Sequence, residues 1–320
     1  MSASVMPLFS ALIAFGLSLV AGPRTIDYLR RLKLGQQIRG DGPQSHHRKA
    51  GTPTMGGILM VAAIVIAVIV FPPLSHNKIM MLVATVGFGV IGFLDDFIKI
   101  VAKRSLGLRA REKLVAQFGL AILVALYAAA RVGTDLLVPF CGQNVVLPTI
   151  VYIPFATLVL VGAANAVNLT DGLDGLAAGS TAISASALGL VLYLLGYHDL
   201  TMFSGAVVGA CLGFSWFNAP PAQVFMGDTG SLALGAALGT AAILSKTSLV
   251  LFILGGLYVL ETLSVILQVL YCKATKGRRL FRMAPLHHHF ELLGVPESKV
   301  MIRFWLVALG FAVLGLYAIL

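Results

Sequence analysis

The chain has 320 residues, 58% of them hydrophobic and only 11% charged, with a net charge of +10 and a mean hydropathy of +0.93. A soluble domain carries roughly 25% charged residues, so the composition excludes a soluble globular enzyme and points to one transmembrane domain over residues 1–320. The apolar runs are continuous and do not alternate, which favours α-helices over a membrane barrel.

A spanning helix needs about 20 mostly apolar residues. In chain order such runs lie at 3–22, 53–71, 79–98, 114–131, 146–165, 175–197, 202–217, 230–245, 248–271 and 302–320. This predicts an all-α polytopic protein of about ten transmembrane helices. The fifth run contains Pro148 and Pro154, and the seventh is short. No Lys or Arg precedes the first run, so it is expected to be a span and not a signal peptide.

Of the 23 basic residues, all but Lys78, Arg131 and Lys246 fall in three connections: those after the first, third and ninth runs. The positive-inside rule places these connections in the cytoplasm and both termini on the outer side. A basic inner face attracts anionic lipid head groups and polyanionic solutes. No nucleic-acid module is recognisable, so nucleic acid is not an expected partner.

The polar motifs fall on that same boundary. They are "HHRKAGTPTMGG" (46–57), "LDDFIK" (94–99), "NAVNLTDGLDGLAAG" (165–179), "NAPPAQVFMGDTGS" (218–231) and "MAPLHHHFELLG" (283–294). The corresponding inner loops, 23–52, 99–113, 165–174, 218–229 and 273–301, are the expected site-bearing segments. Asp95, Asp96, Asp171, Asp174 and Asp228 sit at the inner ends of runs. A single acid there is as readily a helix cap, but several converging on one boundary point to function.

Asp171 and Asp174 are three apart and, on a helix opening the sixth run, would share a face. Asn168 or Thr170 would cap that helix; the acids alternatively complement its dipole. Asp228 is expected just before a helix start, between glycines. Several carboxylates without a Cys–His set suit a hard cation, Mg²⁺ or Mn²⁺. Lys49, Lys99 and Lys113 are then candidates to hold phosphate, although each also serves the positive-inside pattern. His287, His288 and His289 are consecutive and unsuited to one zinc ion; they are candidates to recognise an anion or a sugar hydroxyl. Glu261 and Gln268, seven apart in the ninth run, share a helix face expected to turn inward. Cys141, Cys211 and Cys272 follow no metal or disulfide spacing and read as packing residues.

Taken together, "KAGTPTMGG", "GFLDDFIK", "NLTDGLDGLA", "NAPPAQVFMGDTGSLALG" and "PLHHHFE" resemble the phospho-N-acetylmuramoyl-pentapeptide transferases. These belong to the polyprenyl-phosphate N-acetylhexosamine-1-phosphate transferase superfamily. The resemblance runs from about residue 24 to the C-terminus, in order. It implies a ten-helix homodimer in the bacterial cytoplasmic membrane with a cytoplasmic cleft. It implies transfer of phospho-MurNAc-pentapeptide from UDP-MurNAc-pentapeptide to undecaprenyl phosphate, giving lipid I and UMP with Mg²⁺. Catalytic roles are implied for Asp95, Asp96, Asp228, His287 and Lys113. Asp228 is the implied metal ligand, with Asp96 and Asp171 as further candidates. Substrate contacts are implied for Lys49, Thr54, Lys99, Lys103, Asn168, Asp171, Gly172, Leu173, Asp174, Asn218, Phe225, Gln268, His288 and His289. A sister transferase using UDP-GlcNAc, or a lipid or nucleotide-sugar transporter, is the competing reading. Transporters, however, place their polar sites near the bilayer midplane.

Overall fold

The computed structural model describes residues 5–32, 51–102 and 107–320. Lys49 and Lys103 lie outside the described residues. Twelve helices are found among them: α1 (Met6–Arg31), α2 (Gly57–Ile69), α3 (His76–Val101), α4 (Ala110–Arg131), α5 (Thr149–Thr170) and α6 (Leu176–Leu194), followed by α7 (His198–Asn218), α8 (Gly227–Leu244), α9 (Ser248–Leu254), α10 (Gly256–Ala274), α11 (Leu286–Leu292) and α12 (Glu297–Tyr317). The protein is an all-α polytopic membrane protein.

Eight of these helices are long and apolar enough to span a bilayer: α1, α3, α4, α5, α6, α7, α10 and α12. The other two predicted runs are also helical but shorter. The run expected at 53–71 is only 13 residues of helix, because residues 53–56 are drawn into backbone pairing with residues 225 and 226. The run expected at 230–245 is the 18-residue α8. The first helix, conversely, overruns its predicted end at residue 22 and carries Pro23 within it, so the following loop starts later than 23. One feature departs from all-α: β1 (Asp135–Leu137) pairs antiparallel with β2 (Asn144–Val146) in register Asp135 to Val146.

α8 is the centre of the bundle. Every residue from Thr229 to Leu244 is buried, as expected of a helix that is apolar all round. It packs against α3, α5 and α2. The other intimate pair is α1 with α7. Ser10, Ala14, Ser18 and Gly22 form the buried stripe of α1, facing Gly205, Gly209 and Gly213 of α7. A Cβ at Gly209 would overlap the Ala11 carbonyl oxygen, so close backbone approach is what the small residues provide.

The two ends of the bundle differ. At one end the buried Lys78 ammonium donates to the Phe71 and Pro73 carbonyls (3.3 and 3.1 Å) and pairs with Asp199 at 3.2 Å. Lys246 pairs there with Asp135 at 2.8 Å beside the hairpin. The other end, about 26 Å away along α3, gathers the acidic motifs.

Candidate active site

The site forms where the C-terminal ends of α3 and α5 meet the N-terminal ends of α4 and α8. Gly92 lets α3 press against α8: a Cβ there would overlap the Asp228 carbonyl oxygen. One turn on, the buried Asp96 accepts from Asp228 N (3.2 Å), Thr229 N (3.0 Å) and Thr229 Oγ1 (2.8 Å). The first N–H groups of a helix lack intrahelical partners, and a carboxylate there also complements the dipole. Asp96 therefore caps α8 from a neighbouring helix. Gly227, at φ +73°, makes the turn into α8, and a Cβ at this position would crowd Asp96 Oδ2 and Thr54 Oγ1.

This cap delivers Asp228 to the cleft. Its Oδ1 accepts from Asn168 Nδ2 at 2.9 Å, and its Oδ2 from Lys113 Nζ at 2.6 Å and Lys99 Nζ at 3.1 Å. Lys99 Nζ also lies 2.6 Å from Asp95 Oδ2 and 3.6 Å from Asp96 Oδ1. Asp95 Oδ1 accepts from Leu108 N at 2.9 Å, past Gly107, where a side chain would collide with Asp95. Glu112 accepts from Arg109 N at 3.1 Å, closing the first turn of α4 that presents Lys113. One oxygen each from Asp95, Asp96 and Asp228 lies within 4.8 Å of the other two. A compact, oxygen-only donor set fits a hard divalent cation. Behind this layer Asn168 Nδ2 reaches Ser231 Oγ at 2.9 Å, and Asn165 Nδ2 donates to the buried Gln117 Oε1 at 2.7 Å. Thr229, Ser231, Gln117 and Leu108 were not anticipated. Gln117 follows Lys113 by four residues and Asn165 precedes Asn168 by three, spacings that were available in the sequence.

The "DGLD" stretch is corrected. Asp171 is the C-cap of α5, and α6 begins only at Leu176, after Gly175 at φ +76°. The two acids therefore occupy a turn instead of sharing a helix face. Neither expected cap serves α6: Thr170 Oγ1 bonds back to Ala166 O at 2.8 Å, and Asn168 holds Asp228. Asp171 accepts from the Gly227 N–H, and its carboxyl is pushed up to about 8, by burial first and then by the charges of Asp228, Asp96 and Asp174. Asp174 instead accepts from Ala222 N at 3.0 Å, while its own N–H donates to Glu297 Oε1 at 2.8 Å. Asn218 accepts from Gly175 N (3.0 Å) and donates to Val224 O (2.9 Å). Asp174 and Asn218 thus clip the 219–226 connection into place and are both buried.

The remaining candidates surround the cleft. Thr54 is buried beside Gly227. Phe225 is fixed through its backbone, donating to Pro53 O (2.8 Å) and accepting from Gly56 N (2.9 Å). Leu173 is buried in a small apolar cluster with Leu257, Met301 and Phe304. Gly172 abuts His287. His287 is fully buried, its Nδ1 3.2 Å from Glu261 Oε2. His288 Nδ1 lies 2.8 Å from Glu291 Oε2, and His289 Nδ1 accepts from Arg282 N at 3.1 Å. The histidines therefore turn to three different partners. Gln268 reads the backbone of the 280–281 strap, accepting from Leu280 N and Phe281 N and donating to Phe281 O. Glu261 and Gln268 both reach the segment between α10 and α12.

A carboxylate–ammonium centre thus stands at the converging ends of the helices of this polytopic membrane protein. Residues 78–246 match the family described as Glycosyl transferase family 4, and residues 49–61 match signature 1 of the phospho-N-acetylmuramoyl-pentapeptide-transferases. A relative with that name from Solidesulfovibrio magneticus is 49% identical, over 98% of this chain and 91% of its own. One from Caldanaerobacter subterraneus subsp. tengcongensis is 48% identical over 98% of each chain. One from Bacillus subtilis is 48% identical over 97% of each. The chain belongs to the phospho-N-acetylmuramoyl-pentapeptide-transferase family.

Proposed function

We propose that this chain transfers phospho-MurNAc-pentapeptide from UDP-MurNAc-pentapeptide to undecaprenyl phosphate, releasing UMP and forming lipid I, in a magnesium-dependent site on the cytoplasmic face of the bacterial inner membrane. One observation carries this reading: Asp95, Asp96, Asp228, Lys99 and Lys113 come together at one end of the bundle. A water-soluble diphosphate and a lipid phosphate can react only at such a boundary. In this reading α2 and α8 complete ten membrane crossings, both termini face outward, and the protein works as a homodimer.

Asp228 would hold the metal, with Asp96 in support. When bound, Mg²⁺ neutralises the diphosphate and stabilises the leaving UMP. Lys113 and Lys99, now paired with carboxylates, turn to the phosphoryl oxygens of the two substrates. Asp95 takes the last proton of the lipid phosphate, or orients its anion, for in-line attack. The attacking oxygen bonds to the β-phosphorus, the bond from that phosphorus to the bridging oxygen breaks, and UMP carries the electron pair away. Asn168 and Asp96 keep Asp228 fixed while this happens.

UMP release from purified protein with Mg²⁺ and both substrates tests the assignment. Asp228→Ala is expected to abolish it. UMP formed from UDP-GlcNAc alone would favour the sister transferase, and labelled sugar crossing sealed vesicles without UMP would favour transport. A labelled phospho-sugar trapped on the protein without lipid acceptor would replace direct transfer by a covalent route.

A further inference from the structure

Glu261 lies in the spanning helix α10 and is fully buried, as is its partner His287. An ionisable pair shielded from water at this depth is expensive unless every polar atom is matched. Here two atoms are not: Glu261 Oε1 and His287 Nε2 have no hydrogen-bond partner. A cost of this kind in a native fold calls for a use. The direction in which the imidazole points supplies one.

His287 bonds Glu261 through Nδ1 and turns Nε2 toward the turn after α5. A Cβ at Gly172 would overlap Nε2 and crowd Cε1 and Cδ2, so the ring edge lies directly against the Gly172 backbone. Gly172 follows Asp171, which accepts the Gly227 N–H next to Asp228. A continuous line of contacts therefore runs from α10, through the imidazole and the Asp171–Gly172 turn, to the head of α8. A carboxylate behind a histidine fixes its ring orientation and tautomer. With Glu261 as acceptor, the proton sits on Nδ1.

We infer that Glu261 is a positioning residue for the transfer reaction: acting through His287 as a buried strut, it sets the Asp171–Gly172 turn beside the head of α8, which carries Asp228. The inference rests on the transferase reading above. His287, on this view, supports the cleft wall without touching substrate. The strut ends on the wall beside α8, so its loss shifts the surroundings of Asp228 without removing any of the charged groups there.

The experiment uses full-length protein with Mg²⁺ and varies UDP-MurNAc-pentapeptide and undecaprenyl phosphate separately. Misplacement of a substrate-positioning element by about 1 Å costs up to roughly a hundredfold. Glu261→Leu is accordingly expected to lower kcat/KM for UMP release at least about tenfold. Glu261→Gln, which keeps an oxygen to accept from Nδ1–H, restores most of the loss. Gly172→Ala, pressing on the same contact from the other side, reproduces the loss and serves if the Leu variant does not fold. The ¹⁵N signals of labelled histidine, with His287→Gln to assign them, show Nδ1–H in the parent and in Glu261→Gln. An unchanged kcat/KM in both Glu261→Leu and Gly172→Ala, no recovery in Glu261→Gln, or an Nε2–H tautomer in the parent overturns the inference. A parent protein that releases no UMP overturns the transferase reading instead, and the tautomer measurement still decides the strut.

Discussion

Asp95 and Asp96 are neighbours in sequence, yet the structure predicts different consequences for stability when their charge is removed. Asp96 accepts three hydrogen bonds from the first turn of α8 and is only 4% exposed. Hydrogen bonds to a charged group contribute about 1.5–3 kcal/mol each, and orphaned buried donors cost more than the lost bond alone. Because three bonds to one group do not add independently, Asp96→Ala is expected to cost about 3–5 kcal/mol locally. Asp96→Asn keeps one acceptor oxygen but turns an NH₂ toward the donors, and should lose about half of that. Asp95 accepts one backbone N–H and pairs with Lys99; it caps nothing. Asp95→Asn should therefore leave thermal unfolding in detergent nearly unchanged while lowering kcat by about 10²–10⁴ if it serves as base. Asp96→Asn should lower both, with an unfolding shift of roughly 5 °C. Unfolding curves and UMP release on the same preparations decide the matter. An Asp96→Asn variant as stable as the parent, or an Asp95→Asn variant as destabilised as Asp96→Asn, would refute this division of labour.

At the other end of the bundle, Lys78→Met removes the buried ammonium from two carbonyls and Asp199. It should lower stability by about 1–3 kcal/mol and leave kcat unchanged, since the site lies at the far end of α3. Gln268→Ala frees the 280–281 strap and should raise KM more than it lowers kcat, read from initial rates. In metal-free, EDTA-treated protein the Asp171 carboxyl, raised to about 8, keeps its proton where the unfolded chain has released it. Its contribution is complete below about pH 4 and is lost as the pH rises to about 8. Unfolding temperatures at pH 5 and pH 8 should converge in Asp171→Asn relative to the parent; an identical pH slope in the two would contradict the assignment.

The helices were legible because their signal is composition over long windows. Ten apolar runs were expected and each is helical, but the ends were set by contacts that no single run contains. α2 starts late because residues 53–56 pair with residues 225 and 226, a contact about 170 positions away in sequence. The hairpin β1–β2 was invisible because strands of three residues carry too few alternations to register a period. Helix reasoning failed at "DGLD" for a local reason. Gly175 adopts a left-handed conformation, which ends one helix and delays the next, so the i, i+3 rule had no helix to act on.

Adjacency of Asp95 and Asp96 has a geometric logic. Successive residues on an α-helix point about 100° apart, so two neighbouring side chains can lead to two different elements while still sharing one group between them. Asp95 turns to Leu108 and Lys99, and Asp96 turns to the head of α8. One turn of α3 thereby joins the α3–α4 connection to the central helix, while Lys99, one turn further on, bridges Asp95, Asp96 and Asp228. Three carboxylates at a membrane boundary are tolerable because two ammonium groups and the N-terminal dipole of α8 face them. Each charge that stabilises the cluster is also a charge a phosphorylated substrate can recruit. The arrangement that makes the acids affordable at the edge of the hydrocarbon is therefore the same one that equips the cleft for phosphoryl transfer.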